Sequence, residues 1–113
     1  MPDAIADFFE GLRQRGHEPL LGDARGSLRF EVTNGHAERW VVSLDGRGNI
    51  SVSHRGSKAD CVVRAHKKVF SRIAAGELNA FAAMLRGELA AEGDPTLLVR
   101  FQRLLPNPPR ANR

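Results

Sequence analysis

The spacing of apolar side chains changes period between Leu12 and Leu28, and this change constrains the fold more than any other feature of the chain. Ile5, Phe8, Phe9 and Leu12 recur at i, i+3, i+4 and i+7, which lays one stripe of a helix against a core. Asp3 supplies a cap ahead of that stripe, while Arg13, Arg15 and Gly16 suit its negative end and its stop. His17 to Gly26 reads as a linker, broken by Pro19, Gly22 and Gly26. From Leu28 onward the period is two. Leu28, Phe30 and Val32 alternate with Arg29, Glu31 and Thr33, the pattern of a strand with one wet face. Asn34-Gly35 predicts a two-residue hairpin of type I′, whose central positions both need positive φ. Trp40, Val42 and Leu44 alternate on the return strand, Asp45 to Asn49 turns the chain again, and Ile50 and Val52 begin a third strand. These three strands form an antiparallel meander.

Beyond a polar crossover, His54 to Lys58, the segment Asp60 to Arg64 is a fourth strand rich in β-branched residues. Val69, Phe70, Ile73 and Ala74 give a short amphipathic helix stopped by Gly76, with no Ser, Thr, Asp or Asn to cap its start. Asn79 caps a further turn or two carrying Phe81, Met84 and Leu85. Arg86-Gly87 breaks that helix, and Glu88 to Glu92 is a weak fifth strand because Ala90 and Ala91 have low strand propensity. Asp94 and Pro95 open a last helix with the stripe Leu97, Leu98, Phe101, Leu104 and Leu105, which Pro106 ends. A single domain is expected over residues 1–105, followed by a mobile Pro/Arg tail at 106–113. The order is α-β-β-β-crossover-β-α-β-α, an α+β class.

Composition narrows the function. The longest unbroken apolar run is six residues, Ala80 to Leu85, against the roughly 18 or more consecutive apolar residues that mark a membrane-crossing helix. The first residues carry Asp3, Asp7 and Glu10 in place of a positive leader, so a cytoplasmic location is expected. Residues 1–94 hold thirteen basic and thirteen acidic side chains, so the net charge of +4 resides in Arg100, Arg103, Arg110 and Arg113. A nucleic-acid binder usually carries a basic stripe on its folded body, and a balanced body makes nucleic acid an unlikely partner.

The chemistry of a catalytic or metal site is hard to assemble from these residues. His17, His36, His54 and His66 fall in loops or at element ends, without the spacing that zinc requires. Cys61 alternates with Val63 and reads as a small buried hydrophobe. Gly46-Arg47-Gly48-Asn49 lacks the Gly-Lys-Ser/Thr ending of a phosphate loop and joins strand to strand, so it is a turn. Asp60 and Glu88 have no evident partner carboxylate. No enzyme activity and no cofactor are implied.

Several strings in this order are more specific. Gly26-Ser27-Leu28-Arg29-Phe30-Glu31-Val32, Arg39-Trp40-Val41-Val42-Ser43-Leu44 and Ala59-Asp60-Cys61-Val62-Val63 are followed by Phe70 to Asn79, by Leu85-Arg86-Gly87-Glu88-Leu89 and by Glu92-Gly93-Asp94. Together, from Phe8 to Leu105, they resemble the sterol carrier protein type 2 family of lipid-binding domains. Ala80 departs from the Pro that many members have there, and the terminal Ala-Asn-Arg is not the peroxisomal Ser-Lys-Leu address. A stand-alone, bacterial-type member is expected.

The resemblance implies a five-stranded mixed sheet with helices on one face and an apolar tunnel between the layers. It implies carriage of a sterol, fatty acyl chain, phospholipid or isoprenoid without catalysis. The tunnel walls would come from Leu28, Phe30, Val32, Trp40 and Val42 on the sheet, and from Phe70, Ile73, Phe81, Leu85, Leu98, Phe101 and Leu105 on the helices. The last helix is a candidate lid, and its arginines with those of the tail could meet an anionic membrane surface; the simpler role is to solubilise an exposed helix. An unfilled void of roughly 300 Å³ would cost on the order of 7 kcal/mol. Because whole domains are stable by only about 5–15 kcal/mol, either a bound lipid or a collapsed apo form is expected. The alternative is a structural or partner-docking α+β domain without lipid.

Overall fold

The structure, a computed structural model, describes residues 3–56 and 59–106. Helix α1 (Ala4–Arg15) begins where the Asp3 carboxylate accepts the N–H groups of Ile5 and Ala6, and it ends on Gly16 in the left-handed region. Strands β1 (Arg25–Thr33), β2 (Ala37–Asp45) and β3 (Ile50–Ser53) form the meander, and β4 (Cys61–His66) returns beside β1 in parallel. Helices α2 (Lys67–Ala74) and α3 (Ala80–Leu85) precede β5 (Leu89–Gly93), and α4 (Pro95–Phe101) runs into a 3-10 turn at Gln102–Leu104. The sheet order is β3-β2-β1-β4-β5, antiparallel except for the β1–β4 pair.

One face of this sheet is buried by the pleat. Leu28, Phe30 and Val32 of β1, Trp40, Val42 and Leu44 of β2, and Cys61, Val63 and Ala65 of β4 all point into the core. Helix α1 covers it with Ile5, Phe9 and Leu12. The Phe9 ring stacks on Trp40 at 4.7 Å and 12°, lies 5.9 Å from Phe70 at 18°, and meets Phe30 at 5.3 Å. Phe101 closes the cluster 5.0 Å from Phe30, with Phe8 packed against it from the half-exposed flank of α1. The outer face carries charge. Glu31 bridges Arg29 at 3.0 Å and Arg64 at 2.8 Å, and Arg64 reaches Glu92 at 3.1 Å, tying β1, β4 and β5 together. Val41, on that outer face, is nevertheless buried, with Gly56 of the crossover close above it.

The structure corrects several local expectations. The β1–β2 connection has three residues between the paired Thr33 and Ala37, and Gly35 alone among them has positive φ, so the turn is not type I′. The linker holds a 3-10 turn, Pro19–Leu21, that buries Leu21 and caps itself with the Glu18 carboxylate. A cap for α2 does exist: the Nδ1 atom of His66 accepts the Lys68 N–H at 3.0 Å. Asp60 and Glu88 both lie just ahead of a strand. The Asp60 carboxylate accepts the Ser27 N–H, and Glu88 pairs with Arg86. The last helix gives way to 3-10 geometry after Phe101, and Leu105 is buried in extended backbone past it.

Gly93 is fixed by close approach. Its φ is +101°, and a Cβ there would lie 2.2 Å from the Asp60 carbonyl oxygen. Gly93→Ala should therefore cost roughly 3 kcal/mol or more, because the atoms it would meet, in Asp60 and Cys61, are all backbone and cannot swing aside. Phe9→Ala should cost about 3–5 kcal/mol. Urea unfolding monitored at Trp40 checks both, and a loss below that of an ordinary surface substitution would contradict the packing.

The charged face sets a pH dependence. The Arg64 hydrogen bond, opposed in part by desolvation and helped by the charges of Arg29 and Arg64, holds the Glu31 carboxyl below its ordinary value. Its stabilisation is fully present above the ordinary glutamate value and is lost as pH falls through the lower folded one. Acid unfolding curves should show a smaller loss across this range in Arg64→Ala than in the wild type; parallel curves would remove the bridge from the account.

Candidate functional site

A hollow opens where inward side chains become small. On β5 the inward positions run Leu89, Ala91, Gly93; the first is buried, and the other two leave space that larger residues would fill. Above them lies a pocket of about 140 Å³. Phe81 and Met84 of α3 form one wall, and Pro95, Leu98 and Val99 of α4 form the other. Cys61 of β4 lies at its base, beside Ala91, Glu92 and Gly93 of the adjacent strand.

The elements holding this pocket are short and well capped. Asn79 accepts the N–H groups of Phe81 and Ala82 to start α3, which spans six residues. Asp94 accepts the Thr96 N–H ahead of Pro95 to start α4, which spans seven. Both helices are too short to be stable without their packing. The lining is chiefly carbon and sulfur, with the Glu92 carboxylate drawn towards Arg64. Burial pushes the Cys61 thiol above its ordinary value, and the negative charge of Asp94 adds to the rise. Such a thiol is protonated at neutral pH and a poor nucleophile.

The predicted walls divide into three groups. Phe81 and Leu98 line the pocket. Leu28, Phe30, Val32, Trp40, Val42, Phe70, Ile73, Phe101 and Leu105 are buried in the core, the aromatic ones in contact with each other or with Phe9. Leu85 is 90% exposed, a correction to its expected inward place, because α3 ends there and Ala80 and Ala83 take the buried positions. Reading the sequence missed Cys61, Met84, Ala91, Pro95 and Val99. The available signal was the run of small residues on the fifth strand, a marker of unfilled volume. Trp40, on the far side of β1, buries an indole N–H that has no acceptor among the described residues.

The arginines of the last helix are engaged elsewhere. Arg100 donates to the Leu21 carbonyl at 2.9 Å and pairs with Asp23 at 3.2 Å, and Arg103 donates to the Leu20 carbonyl at 3.2 Å. They fasten the linker to α4 and to the 3-10 turn that follows it. Arg110 and Arg113, with the rest of the expected tail from 107 onward, lie outside the described residues. Among the described residues no helix is long and apolar enough to cross a membrane.

Comparison with known proteins decides the family. Residues 8–106 match the model of the SCP-2 sterol transfer family. The chain belongs to that family. Among solved structures, palmitated SCP2L2 from Aedes aegypti superposes with a TM-score of 0.70 at 16% identity, over 88% of this chain and 92% of that one. The sterol carrier protein domain 2 of Helicoverpa armigera gives a TM-score of 0.70 at 22% identity, over 89% of this chain and 84% of that one. Hydroxysteroid dehydrogenase-like protein 2 of Xenopus laevis is 21% identical over 89% of this chain, which spans 24% of that longer relative. The expected five-stranded mixed sheet of the sterol-carrier fold is the one observed.

Iodoacetamide should alkylate Cys61 at pH 8 at least about tenfold more slowly than a free thiol, through both the raised pKa and the walls around it. Mass spectrometry over time gives the rate, and labelling as fast as glutathione would mean that the thiol is not enclosed.

Proposed function

We propose that this protein binds and carries a single-chain lipid, a fatty acyl chain or close relative, in the pocket between α3, α4 and β5, without catalysing a reaction on it. The observation that carries the reading is the apolar hollow itself, set over Ala91 and Gly93 and walled by two short helices. Membership of a sterol transfer family and the fold shared with a structure described as palmitated support the same reading. An acyl chain gains up to ~0.8 kcal/mol for each methylene buried, so micromolar affinity needs no polar contact with the protein.

A long acyl chain needs more room than about 140 Å³, so binding parts the two helices and extends the hollow towards Leu98 and the core side of α4. The remaining expected walls, Phe30, Phe70, Phe101 and their neighbours, are the side chains that repack as it grows. Arg110 and Arg113 give the terminal segment the charge to meet an anionic membrane during delivery. A cytoplasmic site of action suits this role.

Two measurements test the proposal. An organic extract of the freshly purified protein, read by mass spectrometry, should contain a stoichiometric acyl lipid, or the emptied protein should take up a fluorescent fatty acid saturably. Ala91→Phe, which blocks the floor of the pocket, should weaken that uptake about tenfold, equivalent to two lost methylenes. Its cost in stability should stay within about 1–3 kcal/mol, as for overpacking at a half-buried site. Neither extracted lipid nor saturable uptake would leave a docking domain instead of a carrier.

A further inference from the structure

A second cleft, of about 490 Å³, lies at the other end of β4, where Asn34 of the β1–β2 connection faces the first turns of α2. It is lined by polar and charged residues, Asn34, His66, Lys67, Lys68, Ser71 and Arg72, which turn mostly the carbon of their side chains to the cleft and leave their charged ends at its rim. His66, at its edge, lies five residues along β4 from Cys61, on the order of 16 Å at about 3.3 Å per residue. It is thus distinct from the acyl pocket, and nothing argued about it rests on that pocket being occupied.

The charges in this cleft are arranged against the local rules of helix stability. Lys67 and Lys68 stand in the first turn of α2, which carries no acidic residue, so two cations face the positive end of the helix. Lys68 and Arg72 are like charges at i and i+4, a spacing that brings them together on one face and is destabilising by itself. Among the described residues none of the three forms an ion pair, although other arginines of the sheet and of α4 do. The cluster is also local, because residues 1–94 balance to zero net charge. Local conflicts of this kind are expected where a site has been built.

We propose that this cleft binds a phosphate group. An anion between Lys67, Lys68 and Arg72 relieves both the like-charge pair and the opposition to the helix end. The Arg72 guanidinium offers a forked donor matched to phosphate oxygens, and the two ammonium groups add compact charge. Ser71 and Asn34 line the same space, and their side chains carry a hydroxyl and an amide that can act as neutral donors. His66 contributes through its cap. Because Nδ1 accepts the Lys68 N–H, Nε2 is the ring position left to donate, on a residue that lines the cleft. The phosphate can belong to a free phosphoester or to a lipid headgroup, and the chemistry of recognition is the same.

The test is a titration of the labelled full-length protein with inorganic phosphate at constant ionic strength, followed by amide NMR, with chloride as the control. A second arm measures binding to phosphatidylcholine vesicles with and without phosphatidic acid. Saturable shifts at residues 66–72 with phosphate support the site with a free ligand. Binding only to vesicles containing phosphatidic acid supports it with a headgroup. In either arm Lys68→Gln with Arg72→Gln should weaken binding about tenfold or more, while Arg72→Lys alone, which keeps the charge, should lose less. Both side chains are exposed, and removing the like-charge pair should not lower the unfolding midpoint. Shifts that chloride reproduces, binding in neither arm, or binding unchanged in the double variant would overturn the proposal.

Discussion

The stacking of Phe9 between Trp40 and Phe70 is the contact on which the rest of the molecule depends. It joins the first helix, the second strand and the second helix at one ring, and Phe30 and Phe101 lean on the same cluster from β1 and α4. Aromatic pairs add to the free energy of simple burial, and their offset geometry fixes orientation as well as distance. With that cluster in place α1 can lie in only one way across the sheet. The space between layers at the centre is then filled by side chains, and unfilled volume moves to the edge where β5 carries Ala91 and Gly93.

Much of this was legible in the chain before any coordinates. Periods of 3.6 and 2 are read directly from apolar spacing, so α1, the meander and the inward set Leu28, Phe30, Val32, Trp40 and Val42 followed from pattern alone. Other features depend on three-dimensional context. His66 is not a residue that usually caps a helix, and only the turn of backbone after β4 brings its ring nitrogen to the Lys68 N–H. Leu85 completes an apolar run in sequence, yet the helix stops at that residue and turns the side chain outward. Arg100 and Arg103 looked like free surface charge until the linker carbonyls folded beneath them.

The candidate pocket was the least legible part for a related reason. Periodicity reveals which side chains face inward but says nothing about whether facing side chains meet. Phe30 and Phe70 do meet, at 5.6 Å, whereas Ala91 stands beneath Phe81 and Leu98 with a gap between. The distinction rests on volume, and volume is decided by small residues that carry weak signals of their own. Ala90 and Ala91 weaken the strand reading for the same property that leaves the hollow.

The single parallel pair in the sheet carries a consequence for how the chain assembles. The meander joins neighbours in sequence, but β4 meets β1 only after the chain has closed a loop from Thr33 round to Cys61. Closing a long loop forfeits chain entropy before any contact compensates it, so non-local pairings tend to arrive late. The late-arriving half comprises β4, α3, β5 and α4, the same elements that enclose the hollow. Its breathing motions can therefore admit a guest while β1 to β3 keep their register, which makes order of assembly and ease of entry two expressions of one topology.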